Sequence, residues 1–152
     1  MTDPLAVPPA LAAALAGLPE PGTWETACLL LTATTEGIVD ICMLSRAEID
    51  AAPDALFVVI ASRKARANLS RTQHATLLAF AGGCAYYLAL EQADVLEGEG
   101  TNGYRFVVRR VFGDDVGVRL RPLGYRVEPH LRESEDWDRS GRLLAELQSR
   151  HH

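Results

Sequence analysis

The residues of this chain best suited to hold a ligand are Ser62, Arg63, Lys64 and Asn68, inside the stretch Leu56 to Leu69. The apolar run Leu56-Phe57-Val58-Val59-Ile60-Ala61 is rich in β-branched residues and too short for a free-standing helix, so it reads as a buried strand. Ser62 follows it as a good N-cap, with Ala65, Asn68 and Leu69 at helical spacing behind. A helix start carries partial positive charge and favours acids in its first turn. Here Arg63, Lys64 and Arg66 crowd that turn, and no Asp or Glu occurs from Leu56 through Leu90, although the chain has 20 of them. Lys64 is also the only lysine among 15 basic residues, and lysine offers a compact point charge where arginine offers a planar fork. Free N–H groups, a hydroxyl and cations converging on one point make an anion site of the kind that holds phosphate. The competing reading is a solvated helix face with a local run of charge.

Other constellations offer less. Ser70 and His74 stand at i and i+4 on a possible helix, but no acid lies near in sequence to orient the imidazole, so a hydrolytic pair is a weak reading. Gly98-Glu99-Gly100-Thr101-Asn102-Gly103 has the GxGxxG form, yet Glu97 and Glu99 would face the pyrophosphate that such a motif holds. The expectation there is a turn, with Thr101 or Asn102 capping a helix. Cys28, Cys42 and Cys84 are odd in number and contain no CxxC pair, which suggests reduced core thiols in a cytoplasmic protein. The few histidines, at 74, 130, 151 and 152, give no zinc-type spacing.

At 152 residues the chain is expected to form one domain, with residues 1–22 as a helix and linker and 130–152 as a terminal helix. A net charge of -5 argues against an extended nucleic-acid footprint. Met1 to Pro21 has no basic segment before its alanines, unlike a secretory signal, and the apolar runs fall short of a membrane span. Between them the ligand-holding residues need the following elements. A short helix spans Ala10 to Leu18, and Trp24 pins the linker behind it. A hairpin follows, with strands Ala27–Thr34 and Ile38–Arg46 about the turn Glu36-Gly37. In its second strand Val39, Ile41, Met43 and Ser45 share one face, and Asp40, Cys42, Leu44 and Arg46 the other. Asp50–Asp54 reads as a loop. After the Ser62 helix come a strand Ala75–Ala81, a Gly82-Gly83 turn and a long strand Cys84–Leu96, paired antiparallel because the links are short. From Gly103, Tyr104, Val107, Val108, Val111 and Phe112 fall on one helical face, so a helix of about three turns is expected. Val116–Val127 alternates as a last strand, and Trp137, Leu143, Leu144 and Leu147 mark a charged closing helix.

The order of these elements, with Ser62-x-Lys64-x-x-x-Asn68-Leu69 after an apolar strand, resembles the FMN-binding split β-barrel family, the pyridoxamine 5'-phosphate oxidase-like proteins. The resemblance covers roughly Ala27 to Glu128 and implies a mainly β, antiparallel split barrel with peripheral helices. It also implies a homodimer with FMN in the groove between subunits. Ser62 and Lys64 would hold the FMN phosphate with Arg63 and Asn68 beside them, and Met43-Leu44-Ser45 would lie along the isoalloxazine, partly through its backbone. The turn Glu36-Gly37-Ile38 lacks the family's usual proline, and the arginine-rich motif of the true pyridoxamine phosphate oxidases is absent although Arg46 lies close by. Their substrate is therefore not carried over. Three function classes remain: an FMN-dependent oxidoreductase acting on a small molecule, a non-catalytic binder of flavin, deazaflavin or haem, and a cofactor-free dimer. No nucleic-acid or membrane partner is expected. The absence of an Asp, Glu or His cluster near the phosphate residues suggests that any chemistry is the flavin's own.

Overall fold

The computed structural model describes residues 3–114 and 122–152. Its centre is a seven-stranded antiparallel sheet in the spatial order β3-β2-β6-β7-β8-β5-β4. These strands are β2 Cys28–Ala33, β3 Val39–Leu44, β4 Ile49–Ala52, β5 Ala55–Ile60, β6 His74–Ala81, β7 Cys84–Glu97 and β8 Asn102–Asp114. A two-stranded ribbon pairs β1 Trp24–Thr26 with β9 Gly124–Arg126. The helices α1 Pro9–Leu15, α2 Arg63–Thr72, α3 Leu131–Ser134 and α4 Trp137–Ser149 lie outside the sheet. Leu44 next to one sheet edge and Ile49 at the other belong to the same buried cluster as Leu30, Leu77, Leu88 and Phe106. A flat sheet of seven strands cannot bring its edges into one core, so the sheet curls into a half-barrel. Leu11 and Leu15 of α1 plug that core.

The apolar run of β5 is buried along its whole length because both of its faces are covered. Leu56, Val58 and Ile60 enter the barrel, while Ala55, Phe57 and Val59 pack with Leu144 and Leu147 of α4. The expected helix α2 follows directly. The expected loop Asp50–Asp54 is mostly strand: β4 pairs with β5 from Ile49↔Val58 to Ala52↔Ala55, which leaves Pro53-Asp54 as the turn. Proline and acids mark that turn correctly, but pairing with a fully buried neighbour extends the strand up to it.

The expected helix over Gly103–Phe112 is corrected to strand β8, which pairs with β5 on one side and β7 on the other. Its pairing with β7 shifts register at Arg109, since Leu90 faces Val108 and Ala89 faces Arg110. Such a bulge inserts one residue and reverses which parity points inward. Tyr104, Phe106 and Val108 therefore enter the core before the bulge, and Val111 packs against it afterwards. Tyr104, Val108 and Val111 happen to stand at i, i+4 and i+7, the spacing of a helix face. The other consequence is that Phe112, on the supposed helical face, is 61% exposed, whereas Phe106, off that face, is fully buried.

The GxGxxG stretch is the β7–β8 turn, with Gly98 N–H donating to the Thr101 carbonyl at 2.8 Å and Gly100 at φ +76°. It opens a strand, so no helix N-terminus stands there to hold a pyrophosphate, and no helix is capped by Thr101 or Asn102. Of the last expected strand, Val116–Val127, residues 116–121 lie outside the described residues, and Gly124–Arg126 is β9. Trp24 lies over Gly124 of the β1–β9 ribbon, so close that a Cβ there would meet the indole Nε1 at 2.4 Å, but it is 69% exposed and is not the buried pin expected for the linker. Among the described residues no helix is long and apolar enough to cross a membrane.

Candidate functional site

The phosphate-type residues stand where β5 hands over to α2. Ser62 is the N-cap, its hydroxyl accepting from the Ala65 N–H at 3.2 Å, and no acid occupies the first turn. Arg63 and Lys64 are exposed, and neither makes an ion pair among the described residues. The helix start thus presents two free cations beside backbone N–H groups that have no intrahelical acceptor, an arrangement suited to a phosphate. The hydroxyl of Ser62 is already engaged as an acceptor from Ala65, and its own proton stays available to an anion.

Asn68 faces the other way. It is 8% exposed, and its Nδ2 donates to Thr32 Oγ1 at 3.0 Å and Asp40 Oδ2 at 2.9 Å. Both amide hydrogens bind α2 to the β2–β3 hairpin, and only the carbonyl oxygen is left for anything else. Removing that amide strands a buried hydroxyl and a carboxylate. Asn68→Ala is accordingly expected to destabilise the protein by about 1–3 kcal/mol, read as a lower urea midpoint at unchanged slope; an unchanged midpoint would remove the strut role.

Met43, Leu44 and Ser45 end β3. Met43 is 65% exposed and Leu44 only 2%, so Leu44 can offer a ligand its backbone alone. Ser45 is buried and caps a short 3-10 turn, Arg46–Glu48, through the Ala47 N–H at 3.2 Å. These three residues line a cavity of about 340 Å³ together with Glu48, Tyr125, Glu135 and Trp137. The sequence reading missed this set, and its expectation that no acid cluster lies near the candidate residues is corrected for the Met43–Ser45 end. Burial pushes the Glu48 carboxyl up to about 7, helped by the nearby Glu135 charge. A local signal was present: Ser45-Arg46-Ala47-Glu48 has the form of a capping box, in which the acid folds back onto the serine, and Ser45 Oγ does donate to Glu48 Oε1 at 3.5 Å. Glu135 and Trp137, some ninety positions later, carry no such signal.

Ser70 and His74 do not share a helix, because α2 ends at Thr72, Gln73 turns into the left-handed region at φ 60°, and His74 opens β6. Cys28 and Cys42 are inert thiols, pushed up to about 12 and about 11 by burial and then by Glu48. Among the described residues no three His, Cys, Asp or Glu side chains gather to hold a metal.

The outer face of the sheet is the remaining feature. The cross-strand partners Met43, Leu29, Leu78, Tyr87 and Phe112 form one apolar row over five strands, and Met43, Tyr87 and Phe112 are 65%, 40% and 61% exposed. Ile41, at 62% exposed, adds to the β3 end of this face.

Comparison with solved structures places this architecture. The styrene monooxygenase flavin reductase of Pseudomonas putida S12 superposes with a TM-score of 0.53 at 12% identity, over 76% of this chain and 90% of that one. A flavin reductase, provisionally assigned, from Haemophilus somnus gives 0.52 at 10% identity over 69% and 88%. An F420 reductase gives 0.51 at 8% identity over 70% and 98%. No family sequence model matches the chain, nor does any curated protein sequence. The fold is therefore an antiparallel split barrel like that of these reductases.

Proposed function

We propose that this chain binds FMN and acts as a flavin-dependent oxidoreductase of the pyridoxamine 5'-phosphate oxidase-like class on a small molecule. The observation that carries the reading is the uncompensated cationic start of α2, with Ser62, Arg63 and Lys64 at the end of a split-barrel strand. Those residues fit a phosphate by charge and by donor count, and the exposed apolar side chain of Met43 fits the edge of a flat ring. FMN, when bound, supplies hydride and electron transfer, so the protein's own task is to anchor, orient and shield it. Ser62 and Lys64 anchor the phosphate with Arg63 adjacent, Asn68 fixes α2 on the hairpin, and Met43, Leu44 and Ser45 flank the ring.

The reading includes a homodimer. An apolar row crossing five strands is more than isolated surface side chains and is best covered by a partner, and a second copy covers it with the same row. The three free thiols fit a reducing cytoplasm.

Titration of FMN followed by flavin fluorescence tests the reading. Saturable binding is expected, giving a yellow protein that dithionite or a nicotinamide nucleotide bleaches and air restores. Sedimentation at micromolar concentration is expected to give twice the chain mass, and a monomer that still binds FMN would contradict a cofactor groove between subunits. A haem Soret band or binding of deazaflavin in place of FMN would move the assignment to the non-catalytic binders, and a colourless protein indifferent to all three would leave a cofactor-free dimer.

A further inference from the structure

Two consecutive arginines of β8 line one pocket on the outer face of the sheet, which a regular strand would not allow. Successive side chains of a strand point to opposite faces. Val108 and Val111 both turn toward the barrel core although they stand three positions apart, so the strand takes one extra residue between them. The register shift supplies it: Leu90 faces Val108 and Ala89 faces Arg110, which leaves Arg109 as the bulged residue. Arg109 and Arg110 are both left to the outer side, and both line a pocket of about 530 Å³. Bulges re-aim side chains in this way and are over-represented next to functional sites.

The charge of the pocket is a second observation. Arg109 Nε donates to Glu91 Oε2 at 2.7 Å, and that bond holds the Glu91 carboxyl below the usual carboxylate range. The pair is self-compensated. Arg110 is exposed, and among the described residues it makes no ion pair and no acid lines the pocket beside it. The wall in front of the arginines is apolar, made by Leu31, Val39 and Ala89. A volume of about 530 Å³ is far more than an inorganic anion fills and falls within the range of organic-ligand pockets. A surplus guanidinium beside an apolar wall suits an acid with an apolar body, because its planar fork matches the two oxygens of a carboxylate.

We propose that this pocket binds a small organic carboxylate with a flat apolar body. The carboxylate takes the Arg110 guanidinium, Arg109 stands beside it fixed by Glu91, and the apolar body lies on Leu31, Val39 and Ala89. The row Ile41, Leu31, Thr76, Ala89 and Arg110 runs through the site, two residues along each strand from the row Met43, Leu29, Leu78, Tyr87 and Phe112. The pocket therefore borders the surface assigned above to a second copy. It includes neither the start of α2 nor the Met43–Ser45 segment, and it does not rest on the FMN reading.

The test uses flavin-free protein and 2-naphthoate, with 2-naphthylmethanol as the neutral analogue and 2-naphthylmethylamine as the cationic one. Backbone amide resonances of Thr76, Ala89 and Arg110 in a proton–nitrogen spectrum are the readout, and those of Lys64 and Ala65 at the start of α2 are the internal control. The naphthoate is expected to move the first set saturably and leave the second unmoved, and the alcohol and the amine are expected to bind at least tenfold more weakly. Arg110→Gln, at an exposed position, is expected to weaken naphthoate binding roughly 10- to 100-fold, and Arg110→Lys, which keeps the charge without the fork, by less. Sedimentation of the same samples is expected to give one mass with and without the acid. No saturable shift, an alcohol that binds as tightly as the acid, shifts confined to the start of α2, or full affinity in Arg110→Gln would each overturn the proposal. So would binding that proceeds only as the sedimenting mass halves, since the pocket would then be part of the subunit interface. FMN titration of the wild type reads the flavin site separately, so either result can fail without the other.

Discussion

Phe106→Ala is expected to cost about 3–5 kcal/mol. The side chain is fully buried in the barrel core, between partners Leu56 on β5 and Gln92 on β7, and stacks on Tyr104 with ring centroids 5.6 Å apart at 14°. Its removal opens a cavity in the middle of a strand hydrogen-bonded on both sides, where the backbone has little room to collapse. Domains of this size have a total stability of about 5–15 kcal/mol, so the loss is a large share of the total and should show as a much lower urea midpoint. Phe106→Leu, which keeps most of the volume, is expected to lose about 1.5 kcal/mol or less. Urea melts of both variants and of Phe112→Ala decide the matter. A helix over 103–112 would make Phe112 the core residue and Phe106 a bystander, so a larger loss at Phe112 than at Phe106 would contradict strand β8.

That contrast shows where the sequence was legible. β5 and α2 could be placed because everything that defines them is local: a β-branched run, a serine cap and a helical spacing follow one another within fourteen residues. β8 could not, because its inward positions follow from a bulge at Arg109 and from two neighbouring strands, neither visible in its own residues. The same holds for β4, which is a strand through its pairing with β5 and not through its composition, Ile49-Asp50-Ala51-Ala52.

The candidate site divides along the same line. Ser62, Arg63 and Lys64 declared themselves by charge in the wrong place for a helix start. Asn68 stands out in the sequence only by its place in the Ser62-x-Lys64-x-x-x-Asn68 spacing; that its amide reaches Thr32 and Asp40, 36 and 28 positions away, is a property of the folded sheet. The acid pair of Glu48 and Glu135 is likewise assembled by packing, with α4 laid against the 3-10 turn that ends in Glu48. Periodicity reports which face a residue takes, and it is silent on what the face meets.

Lys64→Ala is expected to weaken FMN binding roughly 10- to 100-fold, since a charge-assisted hydrogen bond to phosphate contributes on the order of 1.5 to 3 kcal/mol. Combined with Ser62→Ala it should abolish practical binding, together with reduction and reoxidation of the bound flavin, and leave only the weak pull of the first-turn N–H groups. Ser62 has a second duty, because its hydroxyl caps α2 through Ala65 at 3.2 Å, and loss of a cap by itself costs about 1 kcal/mol of stability. Ser62→Asp separates the two. Aspartate caps a helix as well as serine does, yet places a negative charge against the phosphate, so this variant is expected to melt like the wild type and bind FMN still more weakly than Ser62→Ala. Fluorescence titration alongside a thermal melt reads both quantities on the same sample. If Lys64→Ala and Ser62→Asp both bind FMN as the wild type does, the phosphate is held elsewhere and the cations of α2 are a solvated face. If the wild type binds no flavin while inorganic phosphate still protects this turn from proteolysis, the anion site stands and the oxidoreductase reading falls.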